Sequence, residues 1–409
     1  MNLKEITHYG QIKGLNLIGT GDFTHPKWLR ELKENLIEDP GTNLYKTKEK
    51  PEFPVRHMIT GEVSTIFTYK EEVKKIHHLI LTPNLETATQ INNRLTQYGD
   101  LTKDGRPTLD MTAPQLVEEI METSNENLII PAHAWTPWFS LFGAFSGFNQ
   151  IEDCYQDMTR HIHAIETGLS SDPPMNWRLS SLDRFTLVSN SDSHSHWPWR
   201  IGREANVFEL ERLTYHEVTD AIRRKDPQKF KFTIETDPAY GKYHWTGHRN
   251  CKISLSPQEA IKLGNRCPKC HRTLTKGVEQ RVEELADRPP NFKPEGVPGY
   301  IHLLPLSEII STILGVSYPG IRKVWEIYNT LTTKFGDEYT VLINAPREEM
   351  SKLVNSKIAD AITRVREEKV KVIPGYDGVY GQLTIFERER EEKPIKIERS
   401  GQRAMTDFI

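Results

Sequence analysis

The sequence predicts an α/β protein: a parallel α/β layer or barrel over residues 1–235, a small metal-binding module over 236–290, a helical region over 300–380 and a charged tail over 381–409. Three observations predict this order. Short apolar runs alternate with helical stretches through the first part of the chain. Three of the four cysteines lie within twenty residues of one another. Beyond residue 305, Leu306, Ile309, Ile310, Ile313 and Leu314 recur at amphipathic helical spacing.

Leu15–Gly19, Arg56–Thr60, His78–Thr82, Leu128–Pro131, His163–Thr167 and Phe185–Ser189 are predicted as buried strands, and Pro114–Met121 as a helix between two of them. Pro289, Pro290, Pro294, Gly296, Pro298 and Gly299 make a linker-like stretch. Leu342–Val354 and Ile358–Arg366 predict two helices joined by a short turn, and Glu387–Lys393 alternates charge as a solvated tail does.

Composition narrows the function classes. With 37% hydrophobic and 27% charged residues, the 409-residue chain has no apolar run near the roughly 18 residues that a membrane span needs. A net charge of -3 gives no support for a polybasic nucleic-acid binder. Four cysteines are too few for a disulfide scaffold, and their clustering suggests metal binding in a reducing compartment. Met1-Asn-Leu-Lys has no apolar signal region, so a cytoplasmic location without membrane attachment is expected.

Ten of the fifteen histidines precede residue 200, and polar residues gather at the predicted strand ends. Asp22 and His25 follow the first strand, Glu62 follows the second, His78 opens the third, His133 follows Ile130-Pro-Ala, Glu166 ends its strand, and Asp192 and His194 follow the last. Any one of these is ordinarily a turn or cap residue. Recurring together at one end of successive strands, they converge as a barrel site requires, with donors suited to Zn, Mn or Fe and able to activate water against a phosphoester. His8, His57, His77, His161 and His163 are assigned to packing or surface roles.

Gly19-Thr-Gly-Asp-Phe-Thr-His-Pro26, Pro131-Ala-His-Ala-Trp-Thr-Pro137, Glu166–Asp172 and Ser189-Asn-Ser-Asp-Ser-His194 resemble the PHP-domain metal phosphoesterases, and more narrowly the endonuclease Q family of archaea. The resemblance runs over essentially the whole chain. It implies a PHP-type distorted β/α barrel and a DNA repair endonuclease that cuts 5′ of deaminated bases (uracil, hypoxanthine, xanthine) or abasic sites. It further implies Asp22, His25, Glu62, His78, His133, Asp192 and His194 as metal ligands, with Glu62, Asp192 and His194 central to catalysis. At two positions the alternatives are Asp22 without His25, and His77 beside His78. PHP proteins open with a strand ending in His-x-His, and here none occurs before residue 160. The expectation is a start assigned on the order of twenty residues late, leaving an incomplete metal site and a barrel short of one strand; a degenerate, metal-poor domain is the other reading.

His248-x2-Cys251 and Cys267-x2-Cys270, fifteen residues apart, have the spacing of a zinc ribbon that closes one tetrahedral structural site, with His244 and His271 as alternative fourth ligands. Cys154 is expected to be a buried thiol. Trp135, Trp138 and Phe139 crowd after His133 and, with Asn176, Trp177 and Arg178, are candidates for holding an extruded base; most such clusters are core. The pair of C-terminal helices resembles a helix-hairpin-helix, although Asn355-Ser356-Lys357 lacks the usual glycines. Six Lys/Arg against three acids between 351 and 372 make Lys352, Lys357 and Arg364 candidate phosphate contacts. Gln402, Met405, Phe408 and Ile409 resemble a peptide that binds the sliding clamp (PCNA). The implied cofactors are Zn2+ and, for activity, Mg2+ or Mn2+. The rival functions are a PHP-type small-molecule phosphatase and a catalytically silent, clamp-tethered DNA-binding protein.

Overall fold

The computed structural model describes residues 2–386. Asn2 caps helix α1 (Leu3–Lys13) by accepting the Glu5 N–H, and the helix stops at Gly14, whose φ of 98° favours glycine. Strand β1 (Leu17–Gly19), helix α2 (Pro26–Asn35), β2 (Leu36–Asp39) and β3 (Leu44–Thr47) lead into the long strands β4 (Arg56–Tyr69) and β5 (Glu72–Thr82). Helix α3 (Leu85–Leu95), β6 (Thr108–Leu109), α4 (Ala113–Met121) and β7 (Leu128–Pro131) follow.

These seven strands form one sheet, in the order β2-β3-β4-β5-β7 with β1 and β6 also pairing with β4. Strand–helix alternation predicts parallel neighbours, and β1 and β6 do run parallel to β4. β4 and β5 instead make an antiparallel hairpin, because only Lys70 and Glu71 separate them and both hold positive φ (49° and 68°). β7 also runs antiparallel to β5, so the sheet is mixed.

After α5 (Ile151–Tyr155), β8 (Ala164–Glu166) and β9 (Thr186–Val188) pair in parallel around α6 (Pro173–Asn176). β10 (Ala205–Phe208), α7 (Tyr215–Arg223) and β11 (Phe230–Glu235) come next. β12 (Thr246–His248), β13 (Ile253–Leu255), α8 (Pro257–Lys262) and α9 (Val278–Leu285) surround the cysteines. β14 (Gly299–His302) then returns to lie parallel to β11.

The helical region comprises α10 (Leu306–Leu314), α11 (Arg322–Phe335), α12 (Glu338–Ile343), α13 (Arg347–Leu353) and α14 (Ser356–Arg366), followed by the small hairpin β15 (Lys371–Ile373) and β16 (Gln382–Thr384). The helix read as Leu342–Val354 is two helices, because Pro346 lacks an N–H to continue the first and caps the second.

The large sheet and the helical region pack separate cores, and Val278 and Val282 of α9 join the first. Ile76, Ile80, Leu116, Ile129, Trp135 and Tyr155 belong to the core of the large sheet; Leu306, Ile310, Tyr328, Met350 and Ile362 belong to that of the helices. A buried ion pair joins the two, with Lys13 Nζ 2.7 Å from Glu338 Oε1 and side chains 1% and 0% exposed. Among the described residues no helix is long and apolar enough to cross a membrane.

Candidate active site

The β4–β5 register determines which side chains share a face. Glu62 pairs with Leu79 and Ser64 with His77, so Glu62 and His77 lie on one side of the pleat while His78, opposite Val63, lies on the other. His133 joins them just beyond the end of β7. Glu62 Oε1 is 3.1 Å from His77 Nδ1 and 3.8 Å from His133 Nε2, and the two ring nitrogens are 2.8 Å apart. Donor atoms around one tetrahedral ion at 2.0–2.1 Å stand about 3.4 Å from each other, so this triangle of two nitrogens and one carboxylate oxygen fits a single ion.

A buried frame holds the triangle. The His133 N–H donates to Glu166 Oε2 at 2.6 Å, and Asn190 donates to the other oxygen at 2.8 Å. Gly168, at φ 58°, presses on His133, where an added Cβ would lie 2.9 Å from the His133 Cα. His133 Nδ1 is buried without a hydrogen-bond partner. Burial works against the Glu62 carboxylate, but the hydrogen bond from His77 and the charges of His133, His77 and Arg106 pull its pKa down to about 2. Burial pushes His77 down; His133, equally buried, is raised by Glu166, Glu62 and Asp192.

Asp22, Asp192 and His194 gather at the rim. Asp22 is raised by burial and by the Glu62 carboxylate, and lowered by His194. His194 Nε2 is 3.5 Å from Asp192 Oδ1. Asp22, His133 and Asp192 all hold left-handed backbones, at φ 49°, 30° and 41°. Such conformations cost of order 1–3 kcal/mol where nothing compensates and cluster at functional sites.

Two of the expected ligands are turned elsewhere. His25 caps α2, its Nδ1 accepting the Lys27 N–H and its Nε2 lying 3.2 Å from the Thr102 carbonyl oxygen. His78 is buried between Thr65 Oγ1 and the Tyr155 hydroxyl, 2.9 Å from each, and the position beside Glu62 belongs to His77. The apolar residues around His77-His78 are buried on both faces of β5, so alternation in the sequence carries no mark of which histidine faces the site. Arg106, 3.2 Å from Glu62 Oε1, has no sequence signal because it comes from a loop.

Behind the frame, the Ser189 hydroxyl lies 2.7 Å from Glu204 Oε2 and 3.0 Å from Glu235 Oε2, both fully buried. The Ser189 hydroxyl has one proton for the two carboxyls, and burial together with the neighbouring Glu204 charge pushes Glu235 up. Burial, opposed by hydrogen bonds from Ser189 and the Thr236 N–H, pushes Glu204 up to about 8.

Among the candidate base contacts, Trp135 is core, donating to Asn176 Oδ1 at 2.8 Å. Trp177 is buried edge-on to Tyr300, and Arg178 is tied to Glu283 at 2.7 Å. Phe139 lies 5.0 Å from the His77 ring, and Trp138 stacks at 5.0 Å on Phe145, both of that pair exposed. In the helical region Lys352 is paired with Glu349, Lys357 lies over the Phe386 ring, and Arg364 donates to the Ile385 carbonyl oxygen. Gln402, Met405, Phe408 and Ile409 lie outside the described residues.

The ligand atoms of His248, Cys251, Cys267 and Cys270 all lie within 4.8 Å of one another, whereas His244 turns to Glu279. Burial works against a Cys267 thiolate, yet the Cys270 N–H, His248 and the Lys269 N–H hold its pKa down to about 6. Three sulfurs and one nitrogen suit tetrahedral zinc. Cys154 is a buried free thiol.

Residues 305–369 match the family model of the MJ0043 C-terminal domain. The chain is 34% identical over 276 residues to the uncharacterized protein MJ0043 of Methanocaldococcus jannaschii, covering 65% of this chain but only 32% of that protein. It is 28% identical over 377 residues to the uncharacterized protein YqxK of Bacillus subtilis, covering 91% and 89% of the two chains. The fold superimposes on the crystal structure of the lesion-specific endonuclease PfuEndoQ from Pyrococcus furiosus with a TM-score of 0.83 and 34% identity, over 95% of this chain and 91% of that one. It also superimposes on endonuclease Q in complex with a 27-mer duplex bearing an abasic lesion at the active site, with a TM-score of 0.82 and 34% identity, over 95% and 92%. With that identity sustained along nearly the full length of both chains, the chain belongs to the endonuclease Q family.

Proposed function

We propose that the protein is a metal-dependent DNA repair endonuclease that hydrolyses the phosphodiester 5′ of a deaminated base or an abasic site. The observation that carries this reading is the convergence of Glu62, His77 and His133 in a chain of the endonuclease Q family. Asp22, Asp192 and His194 complete the ligand shell, and Zn2+ or Mn2+ fits the mixed nitrogen and oxygen donors. A bound ion there supplies an activated water and stabilises charge on the phosphate oxygens.

The remaining work falls to the chain itself. Glu62 stays anionic across the working pH range. Glu166 fixes His133 through its backbone N–H, so the ring is aimed before substrate arrives. The half-exposed guanidinium of Arg106 is placed to meet a phosphate oxygen. Phe139, Trp138 and Phe145 offer ring faces to a base drawn out of the stack. His248, Cys251, Cys267 and Cys270 hold a structural zinc, and the α13–α14 pair takes a helix-hairpin-helix role at the backbone. The C-terminal peptide, with Gln402, Met405, Phe408 and Ile409, docks on a sliding clamp.

The test is incubation of an end-labelled uracil duplex with the chain in Mg2+ or Mn2+. A nick 5′ of the uracil leaving a 3′-hydroxyl is the expected product. Hydrolysis of phosphomonoesters without nicking moves the assignment to a small-molecule phosphatase. Duplex binding with neither activity leaves a silent DNA-binding protein.

A further inference from the structure

A strong positive charge with no assigned role lies around the second ligand cluster. Between His248 and Lys276 there are seven Lys/Arg (249, 252, 262, 266, 269, 272 and 276) against the single acid Glu259, in a chain of net charge -3. A zinc ion with three thiolates removes only one unit of that excess. Arg249, Lys252, Lys262 and Arg272 are exposed, and their side chains make no hydrogen bond or ion pair among the described residues. Lys276, by contrast, is spent on Glu284.

The ligand cluster is what concentrates this charge. Arg249, Lys252, Lys269 and Arg272 each stand within two residues of a ligand, and bringing the ligand atoms within 4.8 Å draws the two knuckles together. Lys269 Nζ, 2.9 Å from the Cys251 carbonyl oxygen, bridges them directly. Like charges held this close repel, which is unfavourable unless a polyanion neutralises them.

The module is also joined to the metal centre through a run of aromatic rings. His77 contacts Phe139 at 5.0 Å, the next residue Trp138 stacks on Phe145, and Trp138 meets Tyr243 edge-on at 5.3 Å. Tyr243 accepts the Val278 N–H, leading directly into the module. Lys242 stands over the Tyr243 ring at 5.4 Å, extending the positive surface toward the centre.

We propose that the exposed basic face of the Cys/His module, formed by Arg249, Lys252, Lys262 and Arg272, grips the phosphate backbone of duplex DNA beside the site and supplies sequence-independent affinity. The proposal rests on the DNA endonuclease reading above. It differs from the expectation placed on 351–372, where Lys352, Arg364 and Arg366 are already held by groups of the protein itself.

The test measures binding of the full chain to undamaged and uracil-containing duplexes by fluorescence anisotropy, between about 50 and 200 mM salt, where phosphate contacts have their largest effect. Each phosphate contact adds about 0.9 to the slope of log K against log salt. Replacing Arg249, Lys252, Lys262 and Arg272 together by Gln should therefore flatten the slope by about 3.6 units and weaken both duplexes by the same factor. Nicking at saturating enzyme should be unchanged, as should bound zinc measured with a chromogenic chelator. Single Gln variants should each flatten the slope by about one unit and serve if the fourfold variant loses zinc; Lys33→Gln, away from the module, should leave it alone. An unchanged slope with zinc retained overturns the proposal. Nicking with an unchanged slope sinks the surface and spares the endonuclease; a flattened slope in a chain that cuts no lesion does the reverse.

Discussion

Exchanging the fates of His77 and His78 tests the site at its least legible point. His78→Ala removes a ring whose two nitrogens are 2.9 Å from Thr65 Oγ1 and the Tyr155 hydroxyl. Thr65 retains a carbonyl oxygen at 3.5 Å, but the fully buried Tyr155 hydroxyl is left without a partner. An orphaned buried hydroxyl costs about 1–3 kcal/mol, and the ring-sized cavity brings the total to about 3–5 kcal/mol. At about 2–4 °C per kcal/mol for a domain of this size, the melting temperature should fall by about 6–20 °C, with nicking preserved below the transition. His77→Ala should shift the balance toward activity. Its ring lies at the site with Glu62 and His133 as polar partners, so losing its hydrogen bond to Glu62 should cost about 1–3 kcal/mol, less than His78→Ala, while a lost ligand should cut nicking by at least about 100-fold. Differential scanning fluorimetry and a uracil-duplex nicking assay on both variants decide it. An inactive His78→Ala that melts like the parent, beside a fully active His77→Ala, would refute the face assignment.

Two buried groups should give the stability profile opposite slopes. His57, its Nδ1 buried without a partner and its pKa lowered by burial to about 4, binds its proton in the unfolded chain first. It should therefore cost up to about 3 kcal/mol as pH falls from 6.5 to 4, a loss that urea titrations of His57→Gln should not show. Glu204 is raised, so the folded state holds the proton more tightly, and its stabilisation should be lost as pH rises from 4.5 through about 8. Glu204→Gln should thus gain more at pH 8 than at pH 5 in the same titration. Lys13→Met breaks the buried pair with Glu338 and should cost about 3–5 kcal/mol, only part of it recovered in the double variant with Glu338→Leu, which also strips the Leu306 N–H and the Tyr328 hydroxyl of their acceptor. Cys267→Ser should release one equivalent of zinc and lower the melting temperature, with chelation of the parent reproducing the effect.

What the sequence made legible follows from what local chemistry determines. All six predicted strands are present, because short apolar runs between turn residues leave little else for the backbone to do. The Cys/His cluster was legible from spacing alone, since an x2 knuckle positions its own ligands. Of the residues that the fold brings together, Glu62 and His133 were named from the sequence. What stayed hidden depends on pairing across the sheet. The histidine facing Glu62 follows from the β4–β5 register, set by a hairpin at Lys70–Glu71 that has neither Gly nor Asn to announce it. Likewise Trp135 and Asn176, forty-one positions apart, are each other's hydrogen-bond partners in the core, which spacing cannot reveal. The positive φ at His133 and Asp192 is a tertiary imposition that residue type does not encode.

The helical region matters to the candidate site before any question of DNA contact arises. Asp192 and His194 are exposed on an irregular segment, and ordering such backbone costs roughly 1–2 kcal/mol per residue. The segment is fixed just downstream. Lys13, itself bound to Glu338, donates to the Pro198 carbonyl oxygen at 2.8 Å; the Tyr339 hydroxyl donates to that of Gly202 at 2.6 Å; and Arg203 forks onto Glu308 at 2.7 and 3.1 Å. Trp197 and Trp199, stacked at 5.1 Å, both meet Trp325 of α11. Glu308, Trp325, Glu338 and Tyr339 all fall within residues 305–369, the stretch matched by the C-terminal family model. Loss of nicking on damaging this region therefore has two distinct causes. A lost phosphate contact changes the salt slope of binding and spares turnover at saturation. A slackened 192–203 segment spares the slope and lowers turnover. Tyr339→Phe, which removes one hydrogen bond and no charge, belongs to the second class.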